Sequence, residues 1–278
     1  PYVDVRMSFN TFTPASISDT TAEKLIDEYI WKLRQFQDFH DKVEFKVVYS
    51  CYRLDFEEIE DEMRLNKFSD KEIAEVRAGL FKLTDDIIEE RVTSIANELK
   101  LADEMARRRK KIVASDIDPF VKIAQLGHDC REFGTLPFSK LARFAFMGSI
   151  LMRSLKKKGI ITQEEYDAFF ASIKTVATDF LDRLGELKKG SISKQEFLKE
   201  FGHLRPGTYD IGSKTYAQGF DDYIDLKNFT AVKESDAFHF SSEKKKKITA
   251  ELSKHGFQFD AERLLQFVRE ATSAREKA

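Results

Sequence analysis

The residues best suited to chemistry lie in one short motif, FGHLRPGTYDIG, at positions 201–212. It supplies an imidazole, a guanidinium, a hydroxyl, a phenol and a carboxylate, carried in that order by His203, Arg205, Thr208, Tyr209 and Asp210. Pro206 and Gly207 predict a turn in the middle of the motif. Such a turn could hold a phosphorylated or anionic group and help to move a proton. The imidazole, guanidinium and carboxylate are therefore candidate catalytic groups, and Thr208 and Tyr209 are candidate substrate-binding residues.

Two of these residues also have structural interpretations. His203 follows a predicted helix, and there an imidazole can bond to the last carbonyls and gain from the helix dipole. In a functional role it would orient an acceptor or act as an acid or base near neutral pH. Arg205 could clamp a phosphate or carboxylate, or form an ion pair with Asp210 or another acid.

Four further polar residues are candidates for substrate binding. Lys140 and Arg143 lie three positions apart at the start of a strongly apolar helix and could add positive charge near a phosphoryl group. The alternative is that both side chains extend from a buried helix towards solvent. Arg6 and Asn10 share a face of a predicted strand by alternation and could line a pocket.

Composition excludes several classes of protein. Among 278 residues the formal net charge is -2, which argues against a nucleic-acid binder that depends on a global basic field. The basic run at 107–111 lacks interleaved aromatic residues, so a solvated helix face is the better interpretation. Cys51 and Cys130 have no metal-type spacing and indicate free thiols in a reducing compartment. We expect no metal site.

No apolar run approaches the roughly 20 residues of a membrane span, and no signal-peptide pattern opens the chain. These observations predict a cytoplasmic protein that contacts neither membrane nor nucleic acid. The chain starts without an initiator Met and stops inside a helical pattern. We therefore expect a fragment of a larger multidomain enzyme.

Periodicity predicts a mainly α protein with a small β element, an α+β fold. Residues 2–10 and 43–50 alternate like strands and predict an N-terminal hairpin or sheet edge. We expect a β-containing subregion at 1–55 and a helical substrate domain at 56–278. Capping boxes predict helix starts at Ser69 and Ser193. A chain break is predicted at 134–137, before a central helix at about 139–157.

Several segments, in order, resemble the central region of the phosphoenolpyruvate synthase / pyruvate phosphate dikinase family, and its rifampin phosphotransferase-like branch in particular. They are YVDVRMSFNTFTPASIS at 2–18, GTLPFSKLARFAFMGSILMRSL at 134–155, EFLKEFGHLRPGTYDI at 196–211 and FDAERLLQFVREATSARE at 259–276. The most specific piece, GHLRPGTYD, resembles a GHRGPGE-type signature of that family. Where the signature carries an acid, this chain has Thr208, and Asp210 could supply a carboxylate from a shifted place.

The resemblance implies the substrate-binding middle domain of an ATP-dependent phosphotransferase. In such enzymes an ATP-grasp domain phosphorylates a histidine on a swivelling domain, which carries the phosphoryl group to a small-molecule acceptor. This chain has neither a glycine-rich ATP-grasp loop nor a phosphohistidine motif, so the fragment alone should be inactive. It would hold no cofactor itself, while ATP and Mg²⁺ are implied for the full-length enzyme. The alternative is a non-catalytic helical scaffold or protein-interaction module.

Overall fold

The protein is all-α in the part of the chain that the structure describes. The computed structural model describes residues 4–207, 210, 212–230 and 237–277. Helices make up 71% of the chain, and the described residues form no strand. The predicted α+β class, with its N-terminal hairpin, is therefore wrong.

Fourteen α-helices follow one another along the described chain. They are α1 (Val5–Asn10), α2 (Asp19–Gln35), α3 (Val43–Lys46), α4 (Phe56–Leu65), α5 (Asp70–Ile88), α6 (Ile95–Ala114), α7 (Pro119–Asp129), α8 (Leu136–Lys157), α9 (Gln163–Ala171), α10 (Val176–Lys189), α11 (Lys194–Phe201), α12 (Tyr216–Tyr223), α13 (Ser242–Lys254) and α14 (Ala261–Lys277). A 3₁₀ turn at Gln37–Phe39 and a π segment at Cys130–Thr135 complete the regular structure.

The first predicted strand is a short helix because a side chain caps it. The Asp4 carboxylate accepts a hydrogen bond from the Met7 backbone N–H, which satisfies a free donor at the start of α1. Phe9 is the buried residue of this helix. Residues 5–10 therefore satisfy their backbone groups locally, without a partner strand.

The second predicted strand begins as α3 and continues as a buried, irregular stretch at 47–55, here called the inner segment. Three of its backbone donors bond to side chains instead of a neighbouring strand. Tyr49 N–H donates to the Tyr29 hydroxyl at 3.1 Å, and Tyr52 N–H donates to Thr84 Oγ1 at 2.9 Å. Leu54 N–H donates to Ser154 Oγ at 3.2 Å. Burial explains the β-like composition of the inner segment, since its apolar side chains lie in the core. Its buried backbone groups need hydrogen-bond partners, but these do not have to come from a sheet.

The capping boxes predicted at Ser69 and Ser193 are confirmed, and each begins a helix at the next residue. The predicted break at 134–137 is wrong, because α7 runs through the π segment directly into α8. Pro137 lies in the first turn of α8 and has no N–H. The π segment changes the hydrogen-bond spacing just before it, so the helix passes the proline without a break.

The chain divides into two compact units, residues 4–170 with 239–276, and the described part of 171–238. In the first unit α8 is buried around most of its surface, and its Phe144 ring lies 6.3 Å from that of Phe267 on α14. In the second unit α11 packs against α10 and α12 through Phe197, Phe201 and Phe220. The boundary predicted between residues 55 and 56 stays a prediction.

Replacing Gly79 of α5 with Ala should lower the free energy of unfolding by about 1–3 kcal/mol, because the new methyl overpacks the core. An added Cβ would lie 2.8 Å from Pro14 Cβ and 3.1 Å from Ile17 Cγ2. Gly127 of α7 is the matched control, because an added Cβ there meets no described atom within 4 Å apart from the neighbouring backbone of its own helix. There Ala should gain up to about 1 kcal/mol from helix propensity. Urea unfolding of both variants checks this, and equal effects at the two positions would contradict it.

Candidate functional site

The described residues of the predicted catalytic motif, 201–207, 210 and 212, lie at the end of α11 and beyond it, in the second unit. Backbone bonds fix this loop, since Tyr216 N–H donates to Leu204 O and Ala217 N–H donates to Gly202 O, both at 2.9 Å. His203 is exposed. Thr208 and Tyr209 lie outside the described residues.

Two charged side chains of the motif bond to nearby backbone. Arg205 is exposed, and its Nε donates to the Ser213 carbonyl at 2.9 Å. The Asp210 carboxylate accepts from Gly212 N–H at 2.8 Å. The loop therefore holds Arg205 and Asp210 through local contacts, and their catalytic roles stay predictions.

Lys140 and Arg143 make contacts within the first unit. Lys140 forms an ion pair of 3.0 Å with the buried Glu98. The Arg143 guanidinium donates to Thr11 O at 2.8 Å and to Ser50 O at 3.4 Å, while its Nε is buried without a hydrogen-bond partner in the described part of the chain. Burial lowers the pKa of Arg143. These contacts join α8 to the end of α1 and to the inner segment.

Arg6 and Asn10 lie on one face of α1, but through helical i, i+4 spacing and not the strand alternation that was predicted. Arg6 forms an ion pair with Asp27 of α2, in which both side chains are exposed. Asn10 is exposed, and its Oδ1 accepts from Thr13 Oγ1 at 3.2 Å. The structure thus brings the end of α1 next to Arg143, and places the 201–212 motif in the other unit.

Sequence reasoning missed a polar cavity of about 240 Å³ in the first unit, here called the inner cavity. The inner segment forms one wall, and α2, α3, α4 and α8 supply the rest. The lining includes five basic and three acidic side chains: Lys32, Lys46, Arg53, Arg153, Lys157, Glu44, Asp55 and Glu62. A lining with more basic than acidic groups favours an anionic ligand.

One end of the cavity is a charge-paired network. Lys32 of α2 forms an ion pair of 2.6 Å with Glu62 of α4, and its ammonium lies 4.7 Å from the centre of the Tyr49 ring. The Tyr49 hydroxyl donates to Glu62 at 3.1 Å. Burial raises the pKa of Tyr49, and the Glu62 carboxylate raises it further, so the phenol stays protonated and donates to that carboxylate.

A second paired group surrounds Asp55, which is nearly buried. Arg53 Nε donates to Asp55 Oδ1 at 3.0 Å, and Lys157 lies 3.2 Å from the other carboxylate oxygen. Burial alone would raise the pKa of Asp55, but the bonds from Arg53 and Lys157 outweigh it and lower that pKa. Asp55 is therefore a fixed anion that holds two cations in the cavity wall.

Two cations at the cavity have no ion pair among the described residues, Lys46 and Arg153. Both are exposed. The Arg153 guanidinium stacks 4.4 Å from the centre of the Phe45 ring, and its Nε donates weakly to the Tyr166 hydroxyl at 3.5 Å. Stacking orients the guanidinium while leaving its outer N–H groups available to an anion.

The one thiol in the lining is inert. Cys51 is buried, and burial raises its pKa to about 12. The thiolate, which is the nucleophilic form, is therefore not populated near neutral pH. The described lining can bind and orient an anion, but it supplies no activated nucleophile. The sequence signal was the basic residues Lys46 and Arg53, which flank the run at 47–52, but the predicted strand at 43–50 gave neither of them a role.

No protein-family model, curated protein or solved structure matches this chain. Among the described residues, no group of three or more His, Cys, Asp and Glu side chains comes close enough to hold a metal ion. No helix in the described ranges is long and apolar enough to cross a membrane.

Acid should weaken the fold partly through Asp55. Its folded-state pKa lies below that of an unfolded aspartate, about 3.9. The ionised form therefore contributes stability above that unfolded value, and the contribution is lost as the pH falls through the folded pKa. The free energy of unfolding, measured by urea titration from neutral to acidic pH, should fall less steeply in Asp55→Asn than in the parent chain. Identical slopes would contradict this role.

Proposed function

We propose that this chain is the acceptor-binding middle domain of an ATP-dependent phosphotransferase of the phosphoenolpyruvate synthase type. In this proposal the inner cavity holds a small anionic acceptor. The observation that carries it is the basic lining, in which Lys46 and Arg153 have no ion pair with any residue that the structure describes. The link to phosphoryl transfer rests on the sequence resemblance.

The size of the cavity supports a small acceptor. Pockets for drug-sized ligands occupy roughly 300–1,000 Å³, and the inner cavity, at about 240 Å³, is smaller. A carboxylate or phosphate of a few carbon atoms suits this volume. The proposal therefore favours a pyruvate-sized acceptor over the much larger acceptors that other members of the resembled family use.

The phosphoryl donor lies outside this chain in the proposal. A phosphohistidine domain of the same polypeptide would deliver the group, and an ATP-grasp domain would bind ATP and Mg²⁺. By the sequence resemblance, Arg205 would clamp a phosphoryl group and His203 would orient it or transfer a proton. A cytoplasmic setting belongs to the same proposal, and the free thiols of Cys51 and Cys130 support a reducing compartment.

Calorimetric titration of the chain with inorganic phosphate, pyruvate and phosphoenolpyruvate tests the binding part. We expect at least one of them to bind, and Arg153→Glu to weaken that binding by about tenfold or more, because an attractive charge becomes repulsive. Arg109→Glu is the matched control, since Arg109 is also exposed and without an ion pair among the described residues, but lies outside the cavity lining. Equal losses in the two variants would remove the cavity from the proposal.

A second assay tests the domain assignment. The chain alone should neither hydrolyse ATP nor form phosphohistidine, whereas the full-length protein should do both. ATP hydrolysis by this chain alone would rule out the assignment.

One observation favours the alternative of a non-catalytic scaffold. Lys140, Arg143 and Arg6, three of the predicted substrate-binding residues, bond to Glu98, to backbone carbonyls and to Asp27. A scaffold would use these side chains for internal contacts in this way. Failure of all three anions to bind would leave this alternative as the better account.

A further inference from the structure

The α6 and α7 helices expose apolar side chains that the proposed anion site does not use. Phe120 is 80% exposed and Ile123 66% exposed, and Val113 and Val121 are exposed as well. In α7 the one buried residue is Asp129. Soluble domains rarely leave several large apolar residues exposed side by side unless they form an interaction surface.

The two helices form a groove of about 780 Å³, here called the hairpin groove. α6 lies alongside α7 and the π segment, and a short connection makes them antiparallel neighbours. Ile112 of α6 and Phe120, Val121 and Ala124 of α7 give the groove its apolar surface. Its lining positions on α7 extend from 120 to 129, over almost the whole helix, so the groove has the length of a docked helix.

The charged side chains that line the groove are two acids and two bases, Glu104, Asp129, Arg108 and Lys111, and the basic run at 107–111 makes the α6 edge beside them positive. The two acids are already neutralised: Asp129 accepts from Arg108 Nε at 2.7 Å, and Glu104 is paired with Arg107. Three cations of the same run, Arg109, Lys110 and Lys111, have no ion pair among the described residues, and Lys111 lines the groove. The sequence predicted that the basic run at 107–111 is a solvated helix face. The structure places an apolar groove beside this run, which a purely solvated face would not have.

We propose that the hairpin groove docks an acidic amphipathic helix of a partner protein. The partner's apolar side chains would cover Phe120 and Val121, and its carboxylates would meet Lys111 and its basic neighbours. This inference is independent of the proposed anion site. A concave groove with a charged edge fits a helix better than a lipid surface.

A second copy of the chain fits poorly. The most acidic short helix here, α4 (FEEIEDEMRL), already buries its apolar residues Phe56, Ile59 and Met63 in its own unit. Two copies of the groove facing each other would bring the 107–111 runs together and repel. The occupant is therefore a different polypeptide.

Fluorescence anisotropy with synthetic amphipathic peptides tests the proposal. One peptide has Leu at helical spacing with Glu elsewhere, a second keeps the Leu pattern but replaces Glu with Lys, and a third keeps Glu but replaces Leu with Ser. We expect the first alone to bind. Phe120→Ala and Lys111→Glu should each weaken it by about tenfold, as for a central anchor residue.

Two variants serve as matched controls, Leu65→Ala, which removes a leucine that is 82% exposed on α4, and Lys246→Glu, which reverses an exposed charge on α13. Both should bind the first peptide like the parent chain. Failure of the first peptide to bind, or equal binding of all three, would overturn the proposal. So would sedimentation of the chain with anionic lipid vesicles, or a dimer in analytical ultracentrifugation, if Phe120→Ala abolished either one.

Discussion

Replacing Phe197 with Ala should unfold the second unit. Phe197 of α11 is fully buried, and its ring lies 5.2–5.7 Å from those of Phe180, Phe201 and Phe220. Truncating a buried phenylalanine costs about 3–5 kcal/mol, because transfer energy is lost and a cavity remains. A hydrophobic core of this size gives the unit a free energy of unfolding only slightly larger than this cost, so the variant unit should be unfolded.

Hydrogen exchange measured by mass spectrometry checks this result. Peptides from α10, α11 and α12 should lose protection in Phe197→Ala, and the loop that carries His203 and Arg205 should lose its backbone bonds with them. Phe120→Ala is the matched control, since that ring is exposed and its removal should change stability by less than about 0.5 kcal/mol. Full protection of α11 in Phe197→Ala would contradict the described packing.

Replacing Glu251 with Ala should lower the free energy of unfolding of the first unit by about 2–4 kcal/mol. This figure is the cost of breaking a buried ion pair, reduced because solvent partly reaches the site. Glu251 of α13 is nearly buried and lies 3.1 Å from both Lys158 and Lys254. Burial alone would raise the pKa of Glu251, but these two lysines outweigh it and lower that pKa. His255 continues the network, with Nε2 at 3.3 Å from Glu251 and Nδ1 hydrogen-bonded to the buried Tyr52 hydroxyl at 2.9 Å.

Urea unfolding of Glu251→Ala, followed by circular dichroism, measures this loss. Glu243→Ala is the control on the same helix, because Glu243 pairs with Lys247 at an exposed site. Its effect should be much smaller, since exposed ion pairs contribute little. If both variants unfolded at the same urea concentration, the buried network would have no special role.

Local rules predicted the helix starts but not the path of the inner segment. Ser69 and Ser193 act through residues three positions away, so their capping boxes are visible in the sequence. The inner segment is fixed by Thr84 and Ser154, which lie 32 and 100 positions from the backbone groups they bond. No local pattern reports such partners, and a buried extended stretch therefore has the composition of a strand.

The candidate site shows the same limit. Sequence reasoning selected Lys140 for its place beside Arg143, but its partner Glu98 is 42 positions away and became apparent only in the fold. The inner cavity takes its basic groups from α2, α3, the inner segment and α8, which no motif connects. Composition gave the cations, and only the packing of the helices showed which of them meet.

Locating a bound anion tests the central claim most directly. Crystals of the chain soaked in arsenate, which has the charge and shape of phosphate and scatters X-rays anomalously, would reveal the site in an anomalous difference map. We predict the strongest peak in the inner cavity, within hydrogen-bonding distance of Arg153 or Lys46, and its absence in Arg153→Glu. An empty inner cavity, with the strongest peak elsewhere on the chain, would contradict the account.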